Sequence, residues 1–270
     1  MEPGDAAPTA LARLAALAAR AADAARGLRL GLGNAALDLV YPPGCMACRG
    51  AVTAGDALCA PCWSRVRFIE RPYCERLGTP FAQDLGPGLV SPEAIATPPV
   101  YARARAATRF DDGPARQLVH RLKYSDRLEL AKPMGVWMAR AGADLLGDAH
   151  CIVPVPLHRA RLWSRKFNQA AALAASVADV AKVPMRPLLL ARVKNTASQV
   201  SMSRAQRADN VQGAFKVRDE DKIWLDGRNV LLVDDELTSG ATVNAAARTL
   251  YRAGAARVDV LVFARVVTSG

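Results

Sequence analysis

The chain has 270 residues, of which 51% are hydrophobic and 23% charged. That is enough apolar material for a substantial core and excludes a disordered, fibrous or disulfide-stapled miniature protein. The formal net charge is +11, and residues 151–218 alone hold 12 basic against 2 acidic side chains, so the excess sits in one quarter of the chain and favours an anionic ligand.

Residues 1–41 read as a leading amphipathic helix or tail, with Leu11, Leu14 and Leu17 at helical spacing among Arg13, Arg20 and Arg26. A docking helix or frayed tail is favoured over a transit peptide because Asp5, Asp23 and Asp38 interrupt the basic pattern. The chain shows neither an apolar run of about 18 residues nor a signal-peptide start. A cytoplasmic protein without a membrane span is therefore expected.

Residues 42–80 form the next unit. Cys45-x2-Cys48 and Cys59-x2-Cys62 are two knuckles whose thiolates can close a tetrahedral shell around one ion. An intracellular setting favours metal over disulfides. Four thiolates leave no open position, so the expected metal is a structural Zn2+. Gly44, Gly50 and Gly55 supply turns around the knuckles, and Pro42-Pro43 ends the preceding helix. Cys74 would need a second cysteine at position 77, where Leu77 stands. Residues 81–100, rich in Gly and Pro, read as an irregular connector.

Residues 101–270 are expected to form an α/β domain. A helical run over 118–130 carries His120, Lys123 and Tyr124, with Lys123 read either as reaching a ligand phosphate or as an ordinary exposed lysine. Then follow a strand over 151–156, a helix over 168–181, a strand over 230–233, a helix over 241–253 and a strand over 257–265. This order implies a parallel sheet flanked by helices. Cys151 reads as a buried small hydrophobe, and Trp137 and Trp163 as packing residues.

Ligands of such sheets bind beyond the carboxyl ends of the strands. The strand at 230–233 runs into Asp234-Asp235-Glu236-Leu237-Thr238-Ser239-Gly240-Ala241-Thr242. The small, hydroxyl-rich loop at a helix N-terminus suits a phosphate, and the carboxylate pair suits vicinal sugar hydroxyls or a divalent cation. A sugar phosphate fits both. A receiver domain is not expected, with only 35 residues following Asp235, nor is a P-loop NTPase, since no Gly-Lys pair occurs.

The run 230–242 resembles the phosphoribosyl-pyrophosphate (PRPP) motif of type I phosphoribosyltransferases. Together with the four knuckle cysteines, Leu122-Lys123-Tyr124, the segment Val153 to Arg159, Arg161-Leu162 with Arg165-Lys-Phe-Asn-Gln169 and the stretch Arg192 to Phe215, it makes the chain similar to the ComF family over roughly residues 40–265. The resemblance implies a type I phosphoribosyltransferase-like parallel sheet with a small N-terminal zinc module. It implies that Asp234 and Asp235 hold the ribose hydroxyls and that Thr238, Ser239, Gly240, Ala241 and Thr242 cradle the 5-phosphate.

By the same resemblance His158, Arg159 and Arg165 face the pyrophosphate. The stretch 192–215 is the superfamily's closing loop, bringing Arg192, Lys194, Arg204 and Arg207, the last three as catalytic candidates. Mg2+ is expected with PRPP, since displacement of pyrophosphate builds negative charge on the leaving group. The acceptor is open, as is catalysis itself. The alternative implied by the family's link to competence is a non-enzymatic regulatory or DNA-uptake module binding single-stranded DNA, against which stands an aromatic content of 6% not interleaved with the basic stretch. Three positions depart from the family pattern: Lys166 where Gly is usual, Glu236 beside the acidic pair, and Leu77 in place of a further cysteine.

Overall fold

The computed structural model describes residues 43–53, 55–84, 86–124, 127–196 and 204–267. The leading helix expected within 1–41 lies outside them.

Four parallel strands form the central sheet in the order β1-β6-β5-β2, where β1 is Ala104–Arg109, β2 Cys151–Pro154, β5 Asn229–Leu237 and β6 Arg257–Arg265. Strand alternation decides which side each residue faces. Val230 and Leu232 of β5 with Val258, Val260 and Val262 of β6 join the core that contains Val243, Ala246 and Leu250 of the helix Ala241–Arg252. Leu231, Val233, Leu261 and Phe263 join the opposite core, with Leu173 and Val177 of helix Gln169–Ala181 and Met134 and Met138 of helix Ala131–Ala141. Both faces are thus covered, which is why β5 carries four consecutive buried residues, Val230 to Val233. Cys151 is fully buried, and burial pushes its thiol up to about 11, as befits a core residue.

Several elements differ from expectation. Strand β1, absent from the sequence reading, holds a nearly fully buried arginine, Arg105, whose Nη2 pairs with Glu75 Oε2 and Asp144 Oδ2, both at 2.7 Å. Its sequence, Ala-Arg-Ala-Ala-Thr-Arg, is poor in the branched residues that signal strands. A second small sheet pairs β3, Leu190–Arg192, antiparallel to β4, Phe215–Val217, with Arg192 opposite Phe215. The span 81–100 includes a short helix, Pro92–Ala96, capped by the Ser91 hydroxyl. Among the described residues no helix is long and apolar enough to cross a membrane.

Trp137 packs edge-on against Trp63 and Phe68 and stacks on Phe263, with ring centroids 5.2 to 5.9 Å apart, which ties the cysteine module to the sheet. Trp163 does not pack as expected: on the short helix Arg159–Arg165 it is 88% exposed.

Candidate functional site

Strands β2 and β5 lie side by side, so the segments leaving their carboxyl ends enclose one cleft of about 260 Å³. Strand β5 is longer than its apolar run: it continues through Asp234, Asp235 and Glu236 to Leu237, carrying the carboxylates to the cleft floor on a rigid element. Asp235 N donates to Asp234 Oδ1 at 2.9 Å. Burial, then the neighbouring Asp235 carboxylate, push Asp234 up to about 8.

Lys123, at the end of helix Pro114–Tyr124, does not point to a free anion site. Its Nζ lies 3.2 Å from Asp235 Oδ1 and 3.0 Å from Glu236 Oε1. Burial disfavours this ammonium, but Asp235 and Glu236 outweigh it and hold its pKa above the usual value. Glu236 therefore shares a counter-ion with Asp235 rather than adding uncompensated charge.

Beyond β5 the chain turns through Thr238 and Ser239 into Gly240, which has a left-handed φ of 75° at the N-cap of helix Ala241–Arg252. A Cβ there would stand 3.3 Å from Asn244 Nδ2 in a conformation L side chains rarely adopt. All five residues 238–242 line the cleft.

The opposite wall is basic. Arg161, Arg165, Arg192 and Arg207 all line the cleft. Arg161 Nη2 donates to Thr196 O at 2.8 Å and Arg192 Nη2 to Thr196 Oγ1 at 2.5 Å, while Arg165 donates to Gln169 Oε1 and Tyr124 Oη, each at 3.3 Å. Arg207, on helix Arg204–Asn210, reaches Thr238 Oγ1 at 3.5 Å. Burial, and then Arg165, lower the Arg161 guanidinium; burial, and then Arg161, lower that of Arg192. Among the described residues the Arg192 Nε is buried without a hydrogen-bond partner, a donor still to be satisfied.

The sequence-derived candidates divide accordingly. Asp234, Asp235, residues 238–242, Arg165 and Arg207 converge on the cleft. His158 does not line it: its Nδ1 caps the helix Arg159–Arg165 by accepting from Ala160 N at 3.3 Å. Arg159 and Lys194 are exposed outside the lining, and the Arg204 side chain and residues 197–203 lie outside the described residues. Arg161, Arg192 and Asn168 gain weight from the geometry. Asn168 Oδ1 caps helix Gln169–Ala181 by accepting from Ala170 N, while its Nδ2 donates to Val155 O at 3.1 Å, fixing the loop after β2. Lys166 carries a φ of 63°, so its place is one where glycine would sit without strain.

The second site is the cysteine cluster. The Sγ atoms of Cys45, Cys48, Cys59 and Cys62 all lie within 4.8 Å of one another, and none of the six cysteines forms a disulfide. Burial alone would raise Cys45, but backbone N–H groups around it, including that of Cys59 at 3.3 Å, bring it down to about 6. Four convergent soft donors with backbone donors aimed at sulfur fit a structural zinc ion.

A four-thiolate ribbon joined to a parallel-sheet domain with this acidic strand and phosphate-type loop defines a zinc-ribbon phosphoribosyltransferase-type protein. Residues 36–93 match the double zinc ribbon domain family and residues 168–268 the phosphoribosyl transferase domain family. The chain is 32% identical over 237 residues to DNA utilization protein YhgH of Salmonella typhimurium, covering 85% of this chain and 100% of that one. It is 27% identical to competence protein F of Haemophilus influenzae, covering 82% and 96%. The chain belongs to the ComF family, with these proteins.

Among solved structures, the glutamine PRPP amidotransferase from B. subtilis complexed with ADP and GMP aligns with a TM-score of 0.37 and 20% identity, over 53% of this chain and 30% of that one. TT1426 from Thermus thermophilus aligns at 0.31 and 19%, over 52% and 85%. The chain spans less than a third of the amidotransferase.

Proposed function

We propose that the cleft binds PRPP with Mg2+ and presents its anomeric carbon for transfer of the phosphoribosyl group. The observation that carries this reading is the division of one cleft into an acidic floor and a wall of mutually repelling arginines. Arg161, lowered by burial and then by Arg165, and Arg192, lowered by burial and then by Arg161, are held beside like charge at a cost, which a multiply charged anion such as pyrophosphate would relieve. Asp234 and Asp235 would accept from the ribose hydroxyls, residues 238–242 would take the 5-phosphate at the helix N-terminus, and Arg161, Arg165 and Arg192 would take the pyrophosphate. Mg2+, for which phosphate and carboxylate oxygens are apt donors, would add charge neutralisation on the leaving group. Arg207 at Thr238 would cover the loop and exclude water.

Thermal unfolding with Mg2+ and PRPP tests this. PRPP should raise the melting temperature of the wild type by several degrees at saturation, and Asp234→Asn with Asp235→Asn should remove that response while zinc content stays unchanged. An equal response in the double variant would refute the assignment.

A second reading, single-stranded DNA binding, is favoured by one observation: exposed Trp163 lies one turn from exposed Arg159 on the same face of a short helix, a stacking surface beside a cation. The names of the relatives, DNA utilization and competence, agree with it. Binding of an oligonucleotide that weakens steeply with salt and is lost in Trp163→Ala would support it; no binding at low salt would dismiss it.

A further inference from the structure

Residues 72–96 repeat the backbone of the zinc-type ribbon bond for bond. In the first copy, Cys45 N donates to Gly50 O at 2.7 Å, Arg49 N to Cys45 O at 3.0 Å and Val52 N to Pro43 O at 3.0 Å. In the second, Cys74 N donates to Thr79 O at 2.8 Å, Gly78 N to Cys74 O at 2.7 Å and Phe81 N to Pro72 O at 2.9 Å. The antiparallel bridge Gly44 to Ala51 recurs as Tyr73 to Pro80. The left-handed residue recurs as well, with φ 68° at Arg49 and 67° at Gly78.

The second arms correspond in the same way. Met46 N donates to Ala57 O at 3.0 Å, and Glu75 N to Leu89 O at 2.8 Å. Cys59 N donates to Cys45 Sγ at 3.3 Å, and Ser91 N to Cys74 Sγ at 3.2 Å. A short helix with proline in its first turn follows each arm, Ala60–Trp63 and Pro92–Ala96.

These pairings put Cys74, Leu77, Ser91 and Ala94 in the places held by Cys45, Cys48, Cys59 and Cys62. One thiol, one hydroxyl and two hydrocarbon side chains do not make a zinc shell. All four are buried, at 0%, 7%, 9% and 1% exposure, and Cys74, Leu77 and Ala94 belong to the same apolar core as β5 and β6. The Cys74 sulfur accepts from Leu77 N and Ser91 N, while Ser91 Oγ accepts from Ala94 N. Outside this centre, cations of the sheet domain hold the knuckle carbonyls: Arg105 Nη1 donates to Glu75 O at 2.8 Å and Arg265 Nη1 to Leu77 O.

We infer that residues 72–96 are a second ribbon that folds without metal, its ligand face filled by apolar packing and docked on β1 and β6, so that the full chain holds one zinc ion rather than two. The double zinc ribbon match therefore overstates the metal content of this chain.

The test is zinc stoichiometry of the full-length protein, measured after mercurial release of the thiols, with cobalt substitution as an optical check. Wild type and Cys74→Ala should each carry one zinc per chain, and Cys45→Ser close to none. The triple variant Leu77→Cys, Ser91→Cys, Ala94→Cys should carry two, with the cobalt-thiolate absorbance doubled. Two zinc ions in wild type, falling to one in Cys74→Ala, would overturn the inference. So would a triple variant with native circular dichroism that still holds one. Should the triple variant not fold, the wild-type and Cys74→Ala counts still decide.

Discussion

Residues 43–63 and 72–96 run the same backbone hydrogen bonds around unlike centres. In the first, four thiols crowd together, a set that repels itself once ionised and is stabilised only by a cation. In the second, the like groups are gone and the centre is filled from the sheet-domain core. The contrast teaches that self-repelling side chains stay together where a ligand is to sit between them. The arginine wall of the cleft, where Arg161 stands beside Arg165 and Arg192 beside Arg161, obeys the same rule, whereas Arg105 and Asp235 are buried charges with opposite charges built in, Glu75 and Asp144 for the one and Lys123 for the other.

The largest expected effect sharpens the ribbon comparison. Gly78 in the second ribbon and Arg49 in the first share the left-handed conformation, but a Cβ at Gly78 would stand 2.3 Å from Ala104 O of β1. Gly78→Ala should destabilise the protein by about 2 kcal/mol or more, the sum of left-handed strain and overpacking. Urea unfolding would show it, and a change under about 0.5 kcal/mol would mean that the second ribbon is not pressed against β1 as described.

The next concerns the acidic floor. An unfolded Asp ionises near its ordinary value of 3.8, whereas Asp234 in the fold keeps its proton up to about 8. Between those values the unfolded state binds fewer protons, so this group makes stability fall as pH rises through the window. Asp234→Asn should flatten that slope and raise the ligand-free stability at pH 8 by on the order of 1 kcal/mol, while weakening PRPP binding. A variant less stable than wild type at pH 8 would show Asp234 to be paired rather than strained.

The smallest effect is at Lys166. Relieving its left-handed strain with Lys166→Gly should gain about 1 kcal/mol in thermal or urea unfolding. A loss of stability would instead reveal a contact of the lysine side chain that outweighs the strain.

Much of this architecture is legible in the sequence, for physical reasons. Strand β6 spans the residues that alternation marks, and helix Ala241–Arg252 departs from its expected end by one residue, because both carry strong periodicity. The cysteine spacing and the acidic run are local and chemical, so they too can be read directly. Strand β1 hides because its buried cation is paired by residues far away in the chain. Arg161 carries no assigned role in the sequence, and Arg192 is placed only in the closing loop, until β2, β3 and β5 bring both to one cleft. Lys123 reads either as a phosphate ligand or as an ordinary exposed lysine until Asp235 and Glu236 are seen beside it. The second ribbon keeps only one of four ligands, so its identity lies in backbone bonds that no residue spacing records.

The most direct test of the central claim is calorimetric titration of the zinc-loaded full chain with PRPP in the presence of Mg2+, alongside pyrophosphate and ribose 5-phosphate. One PRPP should bind per chain, at least tenfold tighter than either fragment, because floor and wall are engaged together. No binding of PRPP, or binding no tighter than pyrophosphate alone, would contradict the account and leave the cleft as a simple anion site.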